Sequence, residues 1–521
     1  MNLIKAVGTI GGLTMVSRVA GFARDMIGSR VLGASHQNDA FFIAFMIPNI
    51  FRRLFGEGAF ASGFVPLFSK RLNAEGGMED AQRFSNEVLA VFLPSLMLVT
   101  VVFEIIMPGF VWLMASEYQD TPGKFELTVQ LTRITFPYLI FISLVSLISG
   151  VLNSLMRFAV AAFAPVLLNL ALIAALLIPT GDDDTRTVQL MSAAVIVGGV
   201  LQFAICWRSA KAAGVTLHFF RRPRMTPAVK ELVILVLPAT FAAGVYQISQ
   251  FFYGFFASRL GEGAMAYLNY ADRLNQLPLS IIGTALGTAI LPSISRAIDR
   301  GREAEAGRVQ GRAFELSMLL ALPATLALAV ASGPIIGAVF EGGEFTAEDA
   351  RITGNILSIL VLGLPGYVLV KVLTPGFYAR KDVRTPVRIA IAILVGSVLA
   401  NFALIPLIGI YSLATVTAAG AWINCLALYF LLHRRAHFRI DGVLAGRLAR
   451  QLVAAFAMAA VLVGLQSLLG DWFAGSTIRE FLGVGVLVGA GIAVYFTLAW
   501  VTGGMNKDDV LDLMKRRKAA E

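Results

Sequence analysis

Long apolar runs recur along the chain, parted by short polar stretches. Most approach the twenty or so residues a helix needs to cross a bilayer. Fourteen such runs are expected, near residues 3–33, 38–58, 87–115, 127–152, 159–179, 187–207, 229–256, 268–295, 313–340, 352–378, 386–407, 411–432, 450–470 and 480–503. The polar stretches alternate in charge. One set carries Arg52, Arg53, Lys70 and Arg71, then Arg157, then Arg208, Lys211, Arg221, Arg222, Arg224 and Lys230. It continues with Arg296 to Arg312, Arg380 to Arg388, Arg434 to Arg447, and a tail with Lys515, Arg516, Arg517 and Lys518. The other set reads SEYQDTPGKFE, TGDDDTRT, EGGEFTAEDA and GDWFAGSTIRE, acidic or nearly neutral. Excess Lys and Arg marks cytoplasmic loops, so the pattern predicts an even span count with both termini in the cytoplasm.

The first two runs break the apolar rule. Between residues 17 and 60 they carry Arg18, Arg24, Asp25, Arg30, Asp39, Arg52, Arg53 and Glu57. A guanidinium at membrane depth costs at least ~2.5–3.5 kcal/mol on insertion scales. Several of them in one stretch point to a water-filled cavity and an anionic ligand. The competing reading makes them interfacial anchors that snorkel to headgroups. The first run, as one helix, would rise about 46 Å against a hydrocarbon core of about 30 Å, so it must tilt, bend or break. Arg18 would then sit near mid-membrane, with Arg24 and Asp25 about 9 Å further out. Arg18 and Asp25, seven residues apart, would share a helix face. In the second run Asp39 falls near the outer end, and Arg52, Arg53 and Glu57 near the inner end. Arg53 and Glu57 stand at i,i+4 and are spaced to pair.

A faint repeat divides the chain. FVPLFSK around Pro66 resembles ILPSISR around Pro292, FPY around Pro137 resembles LPGY around Pro365, and Arg157 before Pro165 parallels Arg380 before Pro386. The near-constant offset suggests two six-helix lobes, 1–225 and 226–440, with residues 441–521 outside the repeat. Two lobes of the same orientation are the layout of an alternating-access transporter. The second lobe adds its own charges. Asp272 and Arg273 open the eighth run, where the plainer reading is a pair at the rim. Lys371 lies several residues from either end of the tenth run, which favours a cavity-facing position over snorkelling.

Composition agrees with this class. Of 521 residues, 57% are hydrophobic and 15% charged, and the mean hydropathy is +0.75. The fold class is therefore an all-α polytopic membrane protein of about 14 transmembrane helices. No cleavable signal peptide is expected, since no small-residue cleavage site follows a short apolar region. The net charge of +10 follows membrane topology and implies no nucleic-acid partner. Cys206 and Cys425 lie far apart in apolar runs and suggest neither disulfide nor metal site. Three of the four His lie in basic loops. No P-loop, HExxH, paired-Cys motif or nucleophile elbow is present, and no buried run supplies His to a Ser or carboxylate. An ATPase, hydrolase or transferase site has little to stand on. Arginine suits two-pronged contact with phosphate oxygens, so the charges read as a binding cavity.

At this point the residues resemble a known family. Ser17-Arg18-Val19-Ala20-Gly21-Phe22-Ala23-Arg24-Asp25, Asp39-Ala40-Phe41-Phe42, Pro48-Asn49 and Arg52-Arg53 through Glu57 to Phe60 are similar to the signature of the MurJ/MviN family. Tyr270 to Arg273, Gly287 to Pro292, and Lys371 to Arg380 match further stretches. The likeness runs from residue 2 to about 440, and the last two runs fit the family's extra helix pair. The family belongs to the MOP exporter superfamily and flips lipid II in bacterial peptidoglycan synthesis.

The resemblance implies two lobes in a V around a central cationic cavity, in the bacterial inner membrane, with lipid II as substrate and no catalytic residues. It places the essential arginines on Arg18, Arg24, Arg52 and Arg273. Arg24 and Arg273 would hold the pyrophosphate, Arg18 and Arg52 would add to the field, and Asp25 would orient Arg24. Asp39 and Glu57 would help close the outer and inner gates, with Arg53, Asp272 and Lys371 in support. Residues 441–521 would give a groove for the polyprenyl tail. No cofactor or metal is implied, although some members are thought to couple to a monovalent cation or the membrane potential. Other partners would be membrane lipids and the cell-wall synthesis machinery.

Two alternatives remain at this stage. A flippase for another polyprenyl-pyrophosphate oligosaccharide would need the same arginines. A non-transporting scaffold of cell-wall assembly would tolerate their replacement. A multidrug exporter fits less well, because its cationic cargo calls for an acidic or aromatic cavity. A membrane-embedded polyprenyl-phosphate transferase would need carboxylates or a His at one membrane face.

Overall fold

The computed structural model describes residues 3–55, 59–181, 183–219, 221–473 and 477–506. Glu57 and the basic tail at Lys515 to Lys518 lie outside the described residues. Among those described the chain is helical, with only an isolated bridge from Gly342 to Phe345. Two compact units form, Met1–Ala266 and Tyr267–Lys518.

The first unit contains α1 (Leu3–Leu32), α2 (His36–Phe55), α3 (Ala59–Leu72), α4 (Gly77–Ala115), α5 (Lys124–Thr135), α6 (Tyr138–Ser154), α7 (Phe158–Leu176), α8 (Asp184–Ala212), α9 (Pro227–Ala257) and the start of α10 (Ala264–Asp299). The second holds the rest of α10, then α11 (Glu303–Val330), α12 (Ser332–Phe340), α13 (Ala347–Leu360), α14 (Leu364–Tyr378), α15 (Arg384–Ile408), α16 (Tyr411–Arg434), α17 (Gly442–Leu468), α18 (Gly470–Phe473) and α19 (Thr477–Val501).

Among the described residues, ten stretches are long and apolar enough to cross a membrane. They occupy ten of the fourteen expected positions. The long helices α1, α2, α9 and α10 stand at the other four. Helix α1 is unbroken over 30 residues, about 45 Å.

Among the described residues, three expected spans are broken. The span near 127–152 is two helices, α5 and α6, meeting at Phe136-Pro137. Proline has no N–H to continue the ladder and disfavours helical backbone before it. The span near 352–378 breaks the same way, through a short 3-10 turn (Val361–Gly363) before Leu364-Pro365. Pro137 and Pro365 form one of the three proline pairs that the repeat aligned. The span near 313–340 divides at Ala331, where Ser332-Gly333-Pro334 starts α12. At some other helix starts a polar side chain caps the first turn. Thr226 accepts from the Val229 N–H ahead of Pro227, and Thr346 and Asp349 form a reciprocal capping box.

One helix went unforeseen. The stretch after residue 58 reads as a basic loop, yet it folds as α3. Phe60, Phe64 and Phe68 recur at i,i+4 and are all buried. Phe64 stacks on Phe60, Phe68 and Phe84 at ring-centroid distances of 5.3, 5.8 and 5.4 Å. Gly150 of α6 makes this packing possible, because a Cβ there would stand 2.9 Å from the Phe64 ring. In the second unit α14 meets α16 along a seam of small residues. A Cβ on Gly363, just ahead of α14, would fall 2.7 Å from the Ala418 backbone, and one on Gly366 2.9 Å from that of Ala421.

Helices α17 and α19 pack on each other, with α17 against α11 and α19 against α12. Their Met458, Leu462, Leu487 and Tyr495 join one apolar cluster with Phe314 and Leu369. A charged clasp reinforces the contact. Buried Glu315 of α11 accepts Arg447 Nη1 of α17 at 2.8 and 3.1 Å and pairs with Arg312 at 3.4 Å.

Candidate functional site

The arginines of α1 are not alike. Arg24 is largely enclosed, with 14% of its side chain exposed, and its Nε and Nη2 both donate to Asp25 Oδ1, at 3.0 and 2.6 Å. Its third contact reaches across to α7, where Nη1 donates to Asn169 Oδ1 at 3.2 Å. Asn169 is itself anchored, its Nδ2 donating to the carbonyls of Ser17 and Pro165 at 3.2 and 3.3 Å. This ties the guanidinium to two helices. Arg18, one and a half turns earlier, is exposed. The structure thus pairs Asp25 with its neighbour Arg24 and adds Asn169, which the sequence reading did not single out.

On α2, Arg52 Nε donates to Asn49 Oδ1 at 3.0 Å. Arg53 reaches α9, donating to Tyr246 Oη at 3.3 Å with its guanidinium 5.7 Å from that ring centroid. The expected Arg53–Glu57 pair falls at a residue outside those described.

In the second unit Asp272 and Arg273 lie more than two turns inside α10, since the helix begins at Ala264 and not near 268 as expected. Asp272 accepts from Asn275 Nδ2 at 3.4 Å and Gln276 Nε2 at 2.5 Å. Arg273 is half-buried, and Lys371 of α14 is exposed.

A second polar cluster stands where α1 turns into α2. Asp39 is fully buried. Its Oδ2 accepts Lys124 Nζ at 3.0 Å and the Gly263 N–H at 2.8 Å, and its Oδ1 accepts the Ala266 N–H at 3.2 Å. Gly263 and Ala266 belong to the first turn of α10, whose free amides favour a carboxylate. Further bonds hold the α9–α10 turn. The His36 N–H donates to Glu262 Oε1 at 3.0 Å, Ser258 Oγ donates to the Met114 carbonyl at 3.2 Å, and Arg259 Nη2 donates to Ser116 Oγ at 2.9 Å. The sequence reading placed Asp39 correctly as a charge at a helix start but passed over Lys124.

Two further charges inside apolar helices were also missed. Arg133 of α5 donates through Nε to the Glu104 carbonyl of α4 at 3.3 Å. Arg133 borders an open cavity of about 580 Å³ with Pro108, Phe125, Glu126, Val129, Gln130 and Ile134. Among the described residues no three His, Cys, Asp or Glu stand together as a metal site would require. Cys206 and Cys425 are buried free thiols.

Comparison with known proteins addresses the family and the fold. The family model described as "Lipid II flippase MurJ" matches residues 29–483. A "Probable lipid II flippase MurJ" of Rhizobium tropici is 42% identical, covering 100% of this chain and 98% of its own. The "Lipid II flippase MurJ" of Burkholderia cenocepacia is 37% identical over 96% of this chain and 98% of its own. Among solved structures, a lipid II flippase MurJ in an inward closed conformation superposes with a TM-score of 0.77 at 24% identity, covering 94% of this chain and 98% of its own. An inward-facing multidrug-resistance MATE transporter of the MOP superfamily gives 0.65 at 14% identity over 82% of this chain and 98% of its own. At these identities the structural likenesses speak to the fold.

Proposed function

The chain belongs to the lipid II flippase MurJ family, and from that premise we propose how its residues carry lipid II across the inner membrane for cell-wall synthesis. It is a multi-pass membrane transporter and not an enzyme. Arg24 is the cation that takes the pyrophosphate. The observation that carries this reading is its tether: Asp25 and Asn169 hold the guanidinium from two helices while leaving it partly exposed. A guanidinium so held is pre-organised, and little side-chain entropy is lost when phosphate oxygens replace one of its partners. Asp25 orients Arg24 and takes it back after release.

Arg273 serves as the second pyrophosphate ligand. Arg18 and Arg52 strengthen the positive field, with Lys371 in support. Asp39 closes the outer gate by capping α10, and Glu57 has the corresponding task at the inner gate. Both termini lie in the cytoplasm. The repeat lobes 1–225 and 226–440 alternate access to the headgroup, while residues 441–521 guide the polyprenyl tail. No cofactor enters the cycle. Coupling to the membrane potential follows from charge, since an inside-negative potential favours outward movement of an anion by ~2.3 kcal/mol per charge per 100 mV.

The test is complementation of flippase-depleted cells with Arg24→Ala and Arg273→Ala, with membrane levels checked and outer-leaflet lipid II quantified. Normal protein levels with lipid II retained inside are expected. Normal delivery by both variants would show the arginines to be anchors and move the scaffold reading ahead.

A further inference from the structure

Lys124 has no business at the start of α5 on local grounds. It is the first residue of that helix, where the dipole disfavours a cation, and it is 3% exposed, where an unpaired ammonium is costly. Both features make sense only through its partner. Its Nζ lies 3.0 Å from Asp39 Oδ2 and 4.1 Å from the Tyr118 ring centroid, so the ammonium is held between a carboxylate and an aromatic face.

The three donors on Asp39 are of two kinds. The Gly263 and Ala266 amides belong to the first turn of α10 and leave whenever that turn moves. Lys124 belongs to α5, which packs extensively on α2, the helix that carries Asp39. An α2–α5 pair packed this closely would move as one body, and Asp39 and Lys124 would then stay together if the first turn of α10 shifted.

We propose that Lys124 is a positioning residue of the outer gate: it keeps Asp39 neutralised after α10 departs and so makes the gate reversible. This rests on the reading of Asp39 as that gate. With Lys124 present, opening exchanges two amide bonds for water while the ion pair survives. Without it, opening would leave the Asp39 charge with neither its ammonium nor the α10 amides, only water, and Asp39 would cling to those amides. Loss of this cation should therefore hold the gate shut. A lysine that merely clamped the closed state would do the opposite, and the two roles differ in sign.

Ala264, 1% exposed at the start of α10, supplies the reporter. The cysteine introduced by Ala264→Cys is labelled from outside intact cells with a membrane-impermeant maleimide, using the parent without it as the blank. Outer-leaflet lipid II is measured in the same cells. Lys124→Met is expected to slow labelling and lipid II delivery at least tenfold at normal membrane level. Lys124→Arg should restore both, and so should Asp39→Asn combined with Lys124→Met, since no charge is then left to strand. Labelling by Lys124→Met as fast as, or faster than, the parent overturns the proposal. So does a double variant that stays as slow as Lys124→Met while present at normal level. Should the parent itself fail to deliver lipid II, the flippase reading falls, and the labelling contrast still decides the role of Lys124.

Discussion

Asn169 offers the sharpest probe of the Arg24 site, because two substitutions at this one position predict different outcomes. Its amide oxygen sits 3.2 Å from Arg24 Nη1, and its amide nitrogen holds two backbone carbonyls. Replacing it by Ala removes one hydrogen bond to a charged group, worth about 1.5–3 kcal/mol when fully formed. Arg24 keeps Asp25, however, and the pyrophosphate needs Arg24 to exchange partners in any case. The net loss in lipid II affinity should therefore be small, about tenfold at most. Asn169→Asp instead puts a second carboxylate against the same guanidinium. At 3.2 Å and an effective dielectric of 20 the Coulomb attraction is about 5 kcal/mol, reduced to roughly 2–4 by water at the exposed edge of Arg24.

That attraction must be overcome before Arg24 can turn to phosphate. It predicts lipid II binding weaker by thirty-fold or more relative to Asn169→Ala. The assay is titration of each purified variant in lipid nanodiscs with labelled lipid II, beside complementation of depleted cells. Equal affinity of the Asp and Ala variants, both folded by thermal melt, would refute Arg24 as the phosphate ligand. Tighter binding by Asn169→Asp would also refute it.

Three further predictions concern packing and pairing inside each unit. Gly150→Leu places a Cβ 2.9 Å from the Phe64 ring and should cost about 1–3 kcal/mol by overpacking, read as a lower melting temperature in detergent, whereas Phe64→Ala in the same background should recover part of it. Glu315→Ala leaves Arg312 and Arg447 without their shared carboxylate; because both are a quarter or more exposed, the loss should be about 1–3 kcal/mol, seen as earlier proteolysis of the α17–α19 segment. Asp382, in the loop before α15, is held down to about 2 by hydrogen bonds from Arg435 and then from Thr385, and a depressed carboxyl stabilises the fold above the ordinary Asp range and loses that contribution as pH falls toward 2. Asp382→Asn should therefore destabilise by about 1 kcal/mol at pH 7 and by progressively less below pH 4, a difference that a pH series of melts on both proteins would show.

What could be read from the sequence, and what could not, divides by the range of the interaction. Bilayer-length apolar runs and alternating loop charge are local patterns, and they placed the long helices. Proline in a run was visible too, but not whether it would break a helix. Pro94 and Pro108 are accommodated within α4, whereas Pro137 and Pro365 stand at breaks. That difference depends on whether neighbouring groups can serve the carbonyl that proline leaves open, a property of packing. Helix α3 was hidden for another reason: its Phe60, Phe64 and Phe68 stripe is only three turns long and ends in Lys70 and Arg71, so charge outweighed periodicity.

The charged residues show the same divide. Arg24, Asp25 and Asp39 announce themselves, since a charge in an apolar run is costly wherever it lands. Their partners do not. Asn169 is an ordinary polar residue on an apolar helix, 145 residues from Arg24, and Lys124 sits in a loop-like string 85 residues from Asp39. Yet Lys124 did leave a trace, as a lone cation among the acidic and neutral residues of SEYQDTPGKFE, at the end of a helix where the dipole opposes it. A charge that violates both the sign of its loop and the polarity of its helix has to be satisfied from elsewhere in the fold. Here that elsewhere is the carboxylate holding the first turn of α10, so the misplaced cation and the buried anion are two halves of one device.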